Sequence, residues 1–178
     1  MLQIQNLLVA YKERFDKENF VKNLLLDNLL LVDIYNRAKK LHIDVESRRV
    51  AFLVQSSYGK DHNLIEAMKQ LECVKEDDFV TAVDEKSVVY VTEIRPQDTQ
   101  VQFLSWANEM IKQLHDNGIL DAKIAIGNVA DSIKNVSRSY KEAQIALEVS
   151  KIFYEDAVVI AYNQLGIGRD RKSVVWER

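Results

Sequence analysis

Phe79–Ile94, FVTAVDEKSVVYVTEI, is the stretch whose reading decides the fold. FVTAV and SVVYVTEI are β-branched runs of strand composition, and Asp84, Glu85 and Lys86 between them form a polar turn, so the segment predicts a β-hairpin. The tip raises a question of chemistry. Hard cations take oxygen ligands and leave room for phosphate, which makes the adjacent carboxylates of Asp84 and Glu85 a candidate Mg²⁺ site. A solvated turn has the same composition.

Working outward, VAFLVQSS after Arg49 reads as a short buried strand. DHNLIEAMKQLECV reads as a helix, with Asp61 as N-cap and Leu64, Ile65, Met68, Leu71 and Val74 on its apolar stripe. Beyond the hairpin, a helix is expected from about Thr99 to His115. Its apolar face would carry Val101, Leu104, Ala107, Met110, Ile111 and Leu114, and Asn117-Gly118 would end it. AKIAIGN is a strand, SIKNVSRSYKEAQIALEVSKIF a helix and AVVIAY a final strand. The order β-α-β-β-α-β-α-β contains the ferredoxin-like split arrangement plus a further helix and strand. We therefore expect an α+β fold, an antiparallel-centred sheet with helices packed on one face.

The first forty residues contain neither Gly nor Pro. They predict a helical hairpin broken near Asp27 and Asn28, with the second helix over 32–41. Ile4, Leu8, Tyr11 and Phe15 recur at spacings of four, three and four. That is the a/d seam of a short coiled coil, which needs a partner or the rest of the domain to hold it. We assign it to homodimerisation. The expected organisation is a helical linker and dimerisation segment over 1–46, an α+β domain over 47–169, and a tail over 170–178. The tail reads equally well as an appended non-native segment or as a natural one cut at a domain boundary.

Composition bounds the function. Of 178 residues, 47% are hydrophobic and 29% charged, ordinary for a globular chain, and the net charge of −3 argues against direct nucleic-acid binding by this segment. Cys73 is the single cysteine, so no internal disulfide forms; it reads as a buried structural thiol in a cytoplasmic protein. NLLLDNLLLV is too short to span a bilayer, and the first residues lack the charged start and small-residue cleavage site of a signal peptide. His42, His62 and His115 stand at no ligand spacing; His42 and His115 fall at helix ends. Neither SYGKD (57–61) nor IGN (126–128) has the glycines of a phosphate loop. No cofactor and no metal is expected. Trp106 reads as core packing, and the charge run KEDD (75–78) as a helix end and solvated loop.

KIAIGNVADSIKNVSRSYKEAQIALEVSKI followed by VVIAYNQLGIGR resembles the degenerate GGDEF-like domain of sugar-diacid and purine-catabolism transcriptional regulators, the CdaR/PucR type. The residues carrying the likeness are Ile126-Gly127, Ser139-Tyr140, Ala143, Ala146-Leu147 and Leu165-Gly166. The helical lead-in NFVKNLLLDN…YNRAKKLHID is similar as well, so the resemblance covers roughly residues 20–169. In physical terms the motif concerns packing. Tyr140, Ala143 and Leu147 share a helix face, small Ala143 and Ala146 admit close approach to a sheet, and Gly127 and Gly166 are expected to permit turns.

The resemblance also fixes what is missing. An active GGDEF cyclase has two glycines at the hairpin tip, an acid pair, and a further aspartate at the end of the first strand. Here the tip is Val83-Asp84-Glu85-Lys86-Ser87 and the strand ends in Gln55-Ser56-Ser57. The expectation is a non-enzymatic regulatory module that relays an effector signal through helix packing in a dimer. By the resemblance, DNA is reached only through a helix-turn-helix domain outside this segment. Two alternatives stand beside it. One is a divergent nucleotide cyclase using Asp84 and Glu85 with Mg²⁺; the other is a small-molecule sensor whose pocket lies near Gln55, Ser57 and the hairpin.

Overall fold

The structure, a computed structural model, describes residues 2–57 and 63–166. Two helices, α1 (Leu2–Leu25) and α2 (Leu31–Lys40), precede a sheet built from β1 (Arg49–Gln55), β2 (Phe79–Ala82), β3 (Ser87–Glu93), β4 (Lys123–Ile126) and β5 (Val159–Ala161). Between the strands lie α3 (Leu64–Lys69), α4 (Gln100–Asp116), a 3-10 turn (Ile133–Asn135) and α5 (Val136–Phe153). The strand order is β2-β3-β1-β4-β5. Every neighbouring pair is antiparallel except β4 and β5, which the α5 crossover joins in parallel.

Helices cover both faces of this sheet, not one. Ala51 and Leu53 of β1, with Val89 and Val91 of β3, pack in the same cluster as residues of α1, α2 and α5. Val50, Phe52 and Val54, with Val88 and Tyr90, face the other way, into a cluster with α3 and α4. The period-two alternation of a strand thus divides one apolar run between two cores. The uninterrupted apolarity of VAFLV is the mark of a strand buried on both sides.

The helix ends explain how so few glycines suffice. α1 and α2 each end on a residue in the left-handed region, Asp27 and His42, both at φ 58°. In each case the next amide bonds back across the turn: Asn28 N–H to the Asn23 carbonyl at 2.9 Å, Ile43 N–H to that of Ala38 at 2.9 Å. These are Schellman closures. Gly118, at φ 88°, ends α4 in the same way, with Ile119 N–H donating to Leu114 at 2.9 Å.

Several local expectations change. Asp61 lies outside the described residues, and the N-cap of α3 is Asn63, whose side chain accepts the Glu66 N–H at 3.3 Å. α3 stops at Lys69, so Leu71, Cys73 and Val74 lie in turns, and Cys73 is half-buried. Val101 is 73% exposed and leaves the apolar face of α4 to Phe103, Ala107, Met110, Ile111 and Leu114. Trp106 is half-buried, its ring 5.5 Å from that of Phe103. Asp78 is not a solvated loop residue: its carboxylate accepts Tyr90 Oη at 2.6 Å, Thr92 Oγ1 at 2.7 Å and the Lys75 N–H at 2.8 Å.

Candidate functional site

The end of β1 and the hairpin tip meet, as the strand order requires of central β1 and its neighbour β3. Gln55 stands opposite Ser87 and donates from Nε2 to its Oγ at 3.1 Å, and the Ser56 N–H donates to the Lys86 carbonyl at 3.0 Å. The tip is held by its own backbone. Val83 N–H donates to Ser87 at 3.0 Å, and Asp84 Oδ1 accepts the Lys86 N–H at 2.8 Å, an Asx turn. Asp84, Glu85 and Lys86 are exposed. Asp84 is close enough to Tyr140 of α5 that, after burial itself, its charge is the next cause holding that phenol above its ordinary pKa.

Ser57 takes a different partner, one the sequence did not disclose. Asp121, in the turn between α4 and β4, accepts Ser56 Oγ at 2.6 Å on one oxygen and the Ser57 N–H at 2.9 Å on the other, which also receives the Ser57 hydroxyl. Burial pushes the Asp121 carboxyl up in pKa, but the bonds from Ser56 and Ser57 outweigh it and hold the group below its usual range. Chemically this is a closed knot: the carboxylate that reaches the end of β1 is already spent on two serines. Nothing in the six residues between helix and strand signals it from sequence. Among the described residues no group of three or more His, Cys, Asp or Glu is arranged to hold a metal ion.

The motif residues of the α5 segment converge on a single contact. Where β4 runs out, Gly127 N–H donates to the Ala51 carbonyl at 3.0 Å, and the Ala51 N–H turns to Ser139 Oγ at 3.2 Å. A side chain of α5 therefore takes over the role of a strand partner, which requires the helix backbone to lie against position 127. Gly127 does not serve a left-handed turn; it leaves room for α5. Gly166, at φ 72°, does adopt the left-handed conformation. Ala143, Ala146, Tyr140 and Leu147 are buried on the same face, as close packing of helix on sheet demands.

The seam of α1 behaves differently along its length. Ile4, Leu8, Tyr11 and Phe15 are 60–74% exposed. Phe20, Val21, Leu24 and Leu25, further along the same helix, are buried, and α1 contacts β2 and α5. At about 100° per residue, the seam is centred roughly 140° around the helix from the buried stripe. The first four turns thus present an apolar face pointing away from the body to which the last two are fixed. No helix among the described residues is long and apolar enough to cross a membrane.

Comparison with known families agrees with this geometry: residues 28–149 match the family model described as the GGDEF-like domain. No curated protein matches the chain.

Proposed function

The chain belongs to the GGDEF-like domain family, and from that premise we propose that it is a non-catalytic regulatory and dimerisation module, of the kind carried by CdaR/PucR-type regulators of sugar-diacid and purine catabolism. The observation that carries this reading is the pair of opposed stripes on α1. One is sunk into the domain core and the other offers Ile4, Leu8, Tyr11 and Phe15 to a partner. Exposed apolar faces of this kind mark interfaces. In a cytoplasmic dimer, α1 is both the joint between copies and a lever seated on the sheet, so an effector that alters its seating changes the spacing of whatever the two chains carry. DNA would be reached through a helix-turn-helix domain attached to the module.

The absence of catalysis rests on the tip and strand end. Asp84 closes its own turn, neither glycine is present, and Gln55-Ser56-Ser57 offers no carboxylate where a cyclase has one. Sedimentation equilibrium tests the dimer. The parent should self-associate in the micromolar range, and Leu8→Glu with Tyr11→Glu should sediment as a monomer with an unchanged circular-dichroism melt. A parent that is monomeric at 100-fold higher concentration ends the dimer reading. Incubation with GTP and Mg²⁺ should give no cyclic dinucleotide; product abolished by Asp84→Ala would establish the cyclase instead.

A further inference from the structure

α1 is one unbroken helix over Leu2–Leu25, yet the domain supports only its second half. Residues 3–15 are all exposed, and burial becomes complete only at Phe20, Val21, Leu24 and Leu25. Among the described residues, the first ion pair from α1 to the rest of the domain is Glu18 with Lys69 of α3, at 3.1 Å. About four turns therefore project without a buried face to hold them.

The local sequence does little to hold them either. LQIQNLLVAY, residues 2–11, carries no charge, so it has no i,i+4 ion pair within it and no acid in the first turn to oppose the helix dipole. Asn6, Val9 and Tyr11 are middling helix formers. A helix of this length and composition is marginal in water by itself. Here the seated half supplies the nucleus, so only propagation outward from about residue 16 remains, with little gain per residue. What a second copy adds is apolar burial. Ile4, Leu7, Leu8, Tyr11 and Phe15 share one face of the helix and are 60–74% exposed. With two aromatic rings at roughly 150–250 Å² each, that face approaches the roughly 800 Å² per partner of a stable interface. An uncharged face of this kind is met by its own copy about a two-fold axis.

We propose that residues 3–15 are helical only in the pair: in a lone chain α1 frays back to about residue 16, and association with a second copy folds the first four turns as it buries them. The 24-residue helix is the conformation of the pair. This inference rests on the dimer reading and adds what governs it. Association is coupled folding and binding, so the ordering of each free half is subtracted from the affinity. The interface is thereby linked to the domain core. Phe20, Val21, Leu24 and Leu25 hold the nucleus from which the paired segment grows, so a change that loosens this seat weakens the dimer without touching Ile4 or Leu8.

Two measurements on the whole chain test it. Hydrogen exchange read by mass spectrometry should find amides 6–15, which have intrahelical acceptors, protected well above the dissociation constant and exchanging like unstructured chain well below it. Sedimentation equilibrium should respond to helix propensity away from the seam. Asn6 and Val9 are exposed on the far side of the helix from the apolar face. Asn6→Ala with Val9→Ala should tighten the dimer about tenfold or more, and Asn6→Gly with Val9→Gly should weaken it about tenfold. Were the helix already formed in the monomer, both pairs of substitutions would leave the dissociation constant unchanged. Indifference to both pairs within about twofold, or protection of amides 6–15 in the dilute chain, overturns the inference while the dimer stands. A parent that is monomeric at every concentration removes the dimer reading itself, and the inference with it.

Discussion

A β-carbon on Gly127 would stand 1.9 Å from the backbone oxygen of Ser139 and 2.6 Å from its Oγ. The first of these contacts is with helix backbone and cannot be relieved by a rotamer change. Gly127→Ala should therefore push α5 off the sheet and lower stability by about 3 kcal/mol or more, a drop of roughly 6–12 °C in midpoint. Ser139→Ala leaves the buried Ala51 N–H without its acceptor and should cost about 1–3 kcal/mol. The double variant gains nothing back, since the oxygen that blocks the β-carbon belongs to the main chain. Denaturant melts of the four proteins decide it, and recovery in the double variant would show that the hydroxyl, not the backbone, sets the approach.

Tyr90 should give the protein an alkaline limb of instability. Burial, then its bond to Asp78, pushes the phenol above its ordinary pKa. The folded state thus holds the proton more tightly than the unfolded one. The associated stability is fully present below pH of about 10 and falls as pH rises beyond it, by at most about 1.4 kcal/mol per pH unit for one proton. Tyr90→Phe should cost about 1.5–3 kcal/mol at neutral pH, the worth of a bond to a charged acceptor, and flatten the limb. Urea melts between pH 7 and 11 test both; equal slopes for parent and variant would sink the assignment to Tyr90.

At the hairpin end, the acids differ in what they hold. Glu85→Ala should change stability by less than about 0.5 kcal/mol, as exposed turn residues do. Asp121→Asn should be felt more, since its oxygens organise Ser56 and Ser57. Its carboxyl sits below the unfolded value, so the stability it contributes is present above about pH 4 and is lost as pH falls below that. The variant should show a shallower acid limb than the parent in melts from pH 6 to 2.5.

Position 101 provides a check on the register of α4. Val101→Lys should be neutral within about 0.5 kcal/mol, whereas Phe103→Ala, two residues on and buried, should cost about 3–5 kcal/mol. Reversal of that order would mean that α4 is rotated on the sheet.

Much of the architecture was legible because the chain punctuates itself. Asn117-Gly118 ends α4, Asp84-Glu85-Lys86 divides two β-branched runs, and VAFLV is too apolar for a surface strand. Val101 was misplaced because helix periodicity near an N-terminus tolerates either of two neighbouring phases, and packing chose the one through Phe103. Helices on one face were expected by analogy with a four-stranded split sheet. That expectation overlooked that β1 and β3 read as continuous rather than alternating apolar runs. Of the candidate site, the pairing of Gln55 with the hairpin follows from strand order, but Asp121 could not be found. Its role depends on a turn reaching the end of a strand more than sixty positions earlier.

The central place of β1 bears on how the chain emerges from the ribosome. Phe52 pairs with Tyr90 on one side and with Ile126 on the other, and the amide of Ala51 finds its acceptor only at Ser139. At roughly 5–20 residues per second, the strand waits several seconds for its second neighbour. During that interval VAFLV is an unpaired apolar edge. Arg48 and Arg49 precede it directly, but no charge follows it before Lys60, so its trailing side is unguarded and the nascent chain is a natural client for a holdase; slowed synthesis between residues 55 and 140 should raise aggregation more than slowing anywhere later.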